Sequence, residues 1–228
     1  MSESKDLIAK LVKERSCLKQ DVYSKTKETF DILKEVLSEV IQELETRFVD
    51  QDKRLEFYFR DKGDFEAEIK VAGDVLIFHM HTNIFQFDRS HGVWNSSYLK
   101  EDELNGYVGM INIYNFLADS FKFNRKNDLG YMIARIFVNH EGHFLVQGKR
   151  QLGYLYNDFL NSVVDRSKLK AIVESALIYT LDFDLYTPPY QDVQQVTVGQ
   201  MEALSQNLGI ITGKRLGFKF GYDESVMD

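Results

Sequence analysis

Four residues in the first half of the chain have the types and spacing of a metal site. His79 and His81 alternate along a predicted strand, so both imidazoles lie on one strand face, about 7 Å apart by the rise of a strand. Glu66 and Glu68 alternate in the same way along the preceding predicted strand. Together these four residues, the Glu/His group, form a mixed nitrogen and oxygen ligand set that suits zinc or iron.

The turn between these two strands determines how the Glu/His group pairs. A two-residue loop at Gly73-Asp74 places Glu68 opposite His79, whereas a loop at Ala72-Gly73 places Glu66 opposite His79. In both registers the four side chains share one face, because side chains alternate along a strand.

A polar sheet face is the other interpretation of the Glu/His group. Glutamates and histidines can pair across neighbouring strands, which contributes roughly 0.2–1 kcal/mol per pair. Lys70 lies on the same predicted face and opposes a cation, while Val75 and Ile77 indicate that part of the face is covered. We therefore expect paired histidines and no stoichiometric metal, with a zinc or iron site as the alternative.

One segment has a local resemblance to a known family. The pattern Gly73-x5-His79-x-His81-x4-Gln86 resembles the first metal motif of cupin barrels. Gln86 stands where that motif has Glu, and no second motif with proline, glycine and histidine follows. The resemblance implies a metal held by the two histidines.

Other reactive residues have ordinary structural explanations. His140-Glu-Gly-His143 lacks the helical i, i+4 spacing of zinc proteases, and its glycine predicts a turn. Cys17 lies in a predicted helix with no histidine nearby in the sequence, which favours a buried or incidental thiol over a nucleophile.

The elements that would position these groups begin with helix over residues 4–48. A short apolar face comes first, formed by Leu7, Ile8, Leu11 and Val12. From about Asp21, apolar residues recur at alternating spacings of three and four: Tyr23, Thr26, Phe30, Leu33, Leu37, Val40 and Leu44. Further apolar residues widen this stripe, which favours packing on the protein's own sheet over a dimer seam.

An antiparallel sheet of about seven strands is predicted over residues 54–148. Its first hairpin fits a three-residue loop with Gly63 left-handed, which pairs Phe59 with Phe65 and Phe57 with Ala67. Later strands are predicted at 84–88, 93–99, 107–116, 131–139 and 143–148. C-terminal helices follow over 154–207, and a final strand over 214–222. The sequence thus predicts a single α+β domain over 1–228, an antiparallel β-meander flanked by N-terminal and C-terminal helices.

Composition limits the functions that this chain can have. Its 228 residues carry 35 acidic and 28 basic side chains, a net charge of -7, which disfavours nucleic acid as a partner. The single cysteine fits a reducing compartment, and no segment has the length and apolarity of a signal peptide or membrane span. We expect a cytoplasmic, non-catalytic binding or assembly module with a protein partner or self-association. A metal-dependent enzyme using the Glu/His group is the alternative.

Overall fold

The computed structural model describes residues 3–48, 50–185, 187, 189–199 and 201. The α-helices are α1 (Glu3–Leu11), α2 (Cys17–Phe48), α3 (Ser97–Glu101), α4 (Ala118–Lys122), α5 (Gln151–Tyr154), α6 (Arg166–Leu181) and α7 (Tyr190–Val193). A π-helical turn (Val12–Ser16) joins α1 to α2, and 3-10 turns (Gly92–Asn95 and Glu103–Gly106) flank α3. The strands are β1 (Phe57–Asp61), β2 (Glu66–Val71), β3 (Asp74–Met80), β4 (Phe85–Gln86), β5 (Tyr107–Leu117), β6 (Tyr131–Val138) and β7 (Phe144–Gly148).

The seven strands form one antiparallel sheet. Its order is β1-β2-β3-β5-β6-β7, with the short β4 pairing with β5. Because neighbouring strands are also consecutive in sequence, apart from β4, the sheet is a meander. The predicted α+β class, with helices at both ends of the sequence, is confirmed.

Helix α2 packs across one face of this sheet. Its buried residues recur at helical spacing: Val22, Thr26, Thr29, Phe30, Leu33, Val36, Leu37, Val40 and Ile41. They form one core cluster with sheet residues such as Ile69, Phe78 and Ile111. This part of the helical stripe is therefore intramolecular core, as the width of the stripe predicts.

Close packing of α2 depends on one glycine in the central strand β5. A Cβ atom on Gly109 would lie 2.0 Å from Oγ1 of Thr26. The Thr26 hydroxyl donates to the Val22 carbonyl at 2.7 Å, so this polar group is satisfied within the helix. The helix can approach β5 because Gly109 has no side chain.

Helix α6 lies beside α2 on the same sheet face and is held by ion pairs. Asp165 caps its N-terminus by accepting from the Lys168 N–H at 2.8 Å. Arg166 bonds Glu39 at 2.8 Å, and Lys170 bonds Glu39 at 2.8 Å and Glu43 at 2.7 Å. The contacts move from Glu39 towards Glu43 on α2 as they move from Arg166 to Lys170 on α6. The two helices therefore run parallel to each other.

The first hairpin differs from the prediction by four residues. Phe59 pairs with Ile69 rather than with Phe65, and the Lys62 N–H donates to the Glu66 carbonyl at 3.0 Å, so the three residues 63–65 connect the two strands. Lys34 of α2 donates to the side chain of Asp61 at 2.8 Å and to the carbonyl of Gly63, so a tertiary contact shapes the loop. An even shift leaves each side chain on its predicted face.

The second hairpin uses one of the two predicted turns. Val71 pairs with Asp74, so Ala72 and Gly73 form the loop. Ala72 has a φ of 53°, a left-handed conformation that is strained for a residue with a side chain.

Two predicted elements are wrong, and a third is shorter than predicted. The predicted strand 93–99 is a 3-10 turn followed by α3, because the Ser96 side chain caps that helix by accepting from the Leu99 N–H. The predicted strand 84–88 is only two residues long, and the predicted helix 154–165 is mostly a loop between α5 and α6. Residues 202–228, with most of the predicted last helix and all of the predicted strand 214–222, lie outside the described residues.

A second, smaller core covers part of the opposite sheet face. It contains Phe87, Leu99, Val108, Phe137, Leu145 and Phe159. These residues come from the segment between β3 and β5, from the sheet itself and from the loop before α6. The Glu/His group lies on the same sheet face, beside this core.

Gly63 and Gly73 provide a matched test of the hairpin turns. Gly63 has a φ of 98°, whereas Gly73 has no positive φ, and a Cβ atom would meet nothing within 4 Å at either position. We expect Gly63→Ala to destabilise the protein by about 1 kcal/mol, because only there is the backbone left-handed.

Urea denaturation measures this difference. Gly73→Ala is the control and should leave the free energy of unfolding unchanged or slightly higher. Equal unfolding midpoints for the two variants would contradict the assigned Gly63 conformation.

Candidate functional site

A row of polar side chains crosses the sheet beside the second core. Strand pairing places Glu66 opposite His79, His79 opposite Asn112, Asn112 opposite Arg135, and Arg135 opposite Gln147. Because directly paired residues share a face, this polar row runs continuously over five strands. It presents an acid, an imidazole, two amides and a guanidinium.

Within the polar row, Arg135 and Gln147 at one end are hydrogen-bonded, whereas the side-chain oxygen of Asn112 at the centre has no partner among the described residues. Arg135 Nε donates to Gln147 Oε1 at 2.7 Å. Asn112 is only 4% exposed, and its Oδ1 finds no hydrogen-bond partner in the described part of the chain. A buried acceptor without a partner destabilises the fold by roughly 1–3 kcal/mol. The row can therefore offer an acceptor to a donor group.

Glu68 lies on the same face and is the most buried acid of the Glu/His group, at 3% exposed. Tyr58 OH donates to Glu68 Oε1 at 2.6 Å, and Arg60 Nη1 donates to the same oxygen at 3.3 Å. Lys62 forms an ion pair with Glu68 Oε2 and a second with Glu66 Oε1 at 3.2 Å. The glutamates are thus bound by two cations and a phenol.

These contacts set the protonation of the Glu68 carboxyl. Burial raises the pKa of Glu68, but hydrogen bonds from Lys62 and Tyr58 outweigh burial and leave the pKa below its usual value. Burial and the hydrogen bond to Glu68 raise the pKa of Tyr58 to about 12. At neutral pH the pair is therefore a carboxylate and a neutral phenol donor.

The two histidines of the group lie apart. His79 is half-buried within β3, opposite Glu66. His81 lies beyond the end of β3, where its Nδ1 accepts from the Asn83 N–H at 3.0 Å and its ring meets Phe85 edge-on. Lys70, expected to neutralise the glutamates of the group, instead pairs with Glu56.

The described residues contain no cluster of three or more His, Cys, Asp or Glu side chains placed to hold a metal ion. Glu68 lies opposite Ile77, two residues along β2 from Glu66, and so outside the row of paired residues that holds Glu66 and His79. The segment with the cupin-like pattern lies in an open meander rather than a barrel, since β1 and β7 are its two ends. Alternation correctly predicts the shared face, but the four side chains do not converge.

A second polar cluster surrounds the turn between β6 and β7. Tyr98 donates to the Glu141 carboxylate, and Asn139 Nδ2 donates to the Tyr98 hydroxyl at 2.8 Å. The His143 ring lies against the Tyr98 ring, with centroids 4.6 Å apart, and its Nδ1 lies 3.0 Å from the Phe159 carbonyl. Burial and the bond to Glu141 raise the pKa of Tyr98.

Sequence reasoning missed the Tyr98 cluster because its members are far apart along the chain. The turn around Gly142 is correctly predicted, and Asn139 Oδ1 shapes it by accepting from the backbone of Glu141 and His143. Tyr98 is 43 residues from Glu141 in the sequence. No local pattern indicates that pairing.

The N-terminal end of the long helix has a third notable surface. Neither α1 nor the π-helical turn after it contains a buried residue. Their apolar side chains are largely exposed: Leu7 57%, Ile8 60%, Leu11 40% and Val12 52%. We call these four residues the apolar stripe. A stripe of this kind on an otherwise polar helix is typical of a protein–protein contact.

Comparison with known proteins gives no relative: no family model, no curated protein and no solved structure matches the chain. None of the described helices has the length and apolarity needed to cross a membrane.

The Glu68 contacts predict a pH-dependent stability. Glu68→Gln should destabilise the protein by roughly 1–3 kcal/mol at pH 7, because it leaves Lys62 and Arg60 without their shared carboxylate. The lowered Glu68 pKa stabilises the fold above the unfolded-state pKa, and this contribution disappears as the pH falls through the folded-state pKa. The difference between variant and wild type should therefore shrink in acid.

Guanidinium denaturation at pH 7 and pH 3 tests this expectation. Glu66→Gln is the matched control, because Glu66 is half-buried and pairs with Lys62 alone among its described contacts. A Glu68→Gln effect that is no larger than the Glu66→Gln effect would contradict the assigned network.

The metal content of the protein is a separate prediction. We expect less than a stoichiometric amount of zinc or iron in protein purified without a histidine tag, because Lys62 and Arg60 already bind the Glu68 carboxylate. Elemental analysis by mass spectrometry measures this content. About one equivalent of metal, lost in the His79→Ala His81→Ala double variant, would overturn the prediction.

Proposed function

We propose that this protein is a non-catalytic assembly module that self-associates through its N-terminal helical extension. The observation that carries the proposal is the exposed apolar stripe on α1 and the π-helical turn. Within the proposal the module is cytoplasmic, where the exposed Cys17 stays reduced. Its excess of acidic side chains makes nucleic acid an unsuitable partner.

The N-terminal helical extension arises because the helical segment is longer than the strands it packs on. The helical segment from Glu3 to Phe48 is about 70 Å long at 1.5 Å per residue, whereas the longest strand, with 11 residues, spans about 37 Å. The buried residues of α2 run from Val22 to Ile41. The residues before Leu18, which are all exposed among those described, therefore extend beyond the sheet.

The extension has a physical reason to find a partner. An isolated helix shorter than about 12–15 residues is marginal in water, and most helices gain stability by packing an apolar face. The four aliphatic side chains of the stripe are between 40% and 60% exposed, so covering them removes apolar area from water at about 25 cal/mol per Å². Association would stabilise both the contact and the helix.

Metal-dependent catalysis on the polar sheet face has weaker support. A metal bound by Glu68 would have to displace Lys62 and Arg60 from the carboxylate. His81 would also have to leave its contact with the Asn83 N–H. No contact among the described residues favours this function over assembly.

A charge placed in the apolar stripe tests the proposed function. We expect the wild type to associate with rising concentration and Leu11→Glu to stay monomeric, because the charge would be desolvated in the interface. Sedimentation velocity measures the mass, and circular dichroism with thermal unfolding checks the fold. Leu11 is exposed, so Leu11→Glu should change the free energy of unfolding by no more than about 0.5 kcal/mol.

Two control variants complete this experiment. Ala9→Glu places the same charge on the same exposed helix but outside the stripe, and it should associate like the wild type. Leu37→Glu places the charge in the core, where Leu37 has no exposed area, and it should unfold the protein. A wild type that stays monomeric, or a Leu11→Glu variant that associates normally, would refute the proposed function.

A further inference from the structure

We infer that the partner of the apolar stripe is a second copy of this chain, bound antiparallel about a two-fold axis that passes between the two helices at the level of Arg15. The inference rests on the proposed function and adds to it the surface that receives the stripe. That surface is the end groove, which is lined by Lys19, Gln20, Tyr23 and residues 82–85.

The end groove has the size and composition to receive aliphatic side chains. Its volume is about 620 Å³, and Tyr23, Ile84 and Phe85 provide apolar surface. The Phe85 side chain is 36% exposed. On one side its ring contacts the His81 ring, with the two ring centroids 4.8 Å apart. The groove adjoins the point where the helix begins to be buried, at Val22.

The stripe and the groove lie along one line of the helix. Leu7, Leu11, Arg15, Lys19 and Tyr23 follow each other at intervals of four residues. In a regular α-helix such a series drifts by about 40° at each step, because there are 3.6 residues per turn. The wider π-helical turn at Val12–Ser16 offsets about half of the summed drift, so the series stays within one broad side of the helix.

This spacing makes the helix end self-complementary. Arg15 lies midway between Leu11 and Lys19, and also midway between Leu7 and Tyr23. An antiparallel pair centred on Arg15 therefore places each stripe over the groove of the other copy. Such an isologous contact closes after two copies and leaves neither stripe exposed.

The area of the contact favours this arrangement over pairing of the stripes alone. A stable interface buries about 800 Å² on each partner. Four partly exposed aliphatic side chains are too few to supply that area. The antiparallel pair uses a stripe and a groove from each copy, so the apolar contact occurs twice.

Each end of the pair has one complementary pair of charges. The first turn of α1 is acidic, with Glu3 and Asp6. In the antiparallel pair Glu3 lies at the level of Lys27 of the second copy, which contacts Asp31 within its own helix.

Cysteine cross-linking tests the arrangement in the full chain. In a Cys17→Ser background, the Leu11→Cys Lys19→Cys variant should form a covalent dimer on mild oxidation, because positions 11 and 19 of opposite copies face each other. Within one chain these positions are about 12 Å apart, which is too far for a disulfide. Non-reducing electrophoresis measures the dimer, and we expect it to include more than half of the chains.

Single-cysteine controls distinguish the possible arrangements. Leu11→Cys alone should stay monomeric under oxidation, because the two copies of position 11 are also about 12 Å apart along the helix axis. A covalent dimer of Leu11→Cys alone would indicate a parallel pair and overturn the inference. Ala9→Cys Lys19→Cys, with one cysteine outside the stripe, should give no dimer.

The dissociation constant of the dimer tests whether the end groove takes part in the contact. Phe85→Ala should raise the dissociation constant tenfold or more, because the symmetric pair loses a buried phenylalanine side chain from both grooves. Phe121→Ala removes another exposed phenylalanine, far from the stripe in sequence, and should leave the dissociation constant unchanged.

The outcomes separate this inference from the proposed function. Association that requires Leu11 but gives no Leu11–Lys19 cross-link and no effect of Phe85→Ala would overturn the antiparallel pair and leave the assembly function intact. A wild type that stays monomeric at all concentrations would overturn both.

Discussion

The packing of α2 across the sheet is the interaction on which the rest of the structure depends. It buries the apolar residues of both layers in one core and requires the close approach of Thr26 to Gly109. Once α2 and α6 cover one face, the other face has only the short segment between β3 and β5 and the loop before α6 to cover it. The polar row remains where this cover ends.

The same packing explains why charged groups are buried on the second face. Glu68 alternates with Ala67 and Ile69, so placing those residues in the core places Glu68 on the opposite side of the strand. A carboxylate at that position needs donors, and Tyr58, Arg60 and Lys62 of the first hairpin supply them. The network is therefore explained by the requirement to satisfy a buried charge, without a ligand.

The long helix connects the fold to the proposed assembly. A single helix gives the sheet a rigid backing, but a helix about twice as long as the strands must extend beyond them. The residues that extend carry apolar side chains, which the sheet cannot cover. In the proposed pair a second copy covers them through the end groove, because the stripe and the helical side of the groove lie on one continuous helical segment with Arg15 midway between them.

The sequence by itself determined the helical and strand periodicities, and therefore which side chains share one face of a helix or strand. Helical spacing identified the buried stripe around Leu37, and alternation placed the Glu/His group on one sheet face, because both follow from backbone geometry alone. Tertiary structure decided how the elements meet. Lys34 bonds the carbonyl of Gly63, β1 pairs with β2 four residues away from the predicted register, Tyr98 reaches Glu141 from 43 residues away, and the first turns of the helix are exposed. These outcomes depend on contacts between residues distant in the chain, which local spacing does not encode.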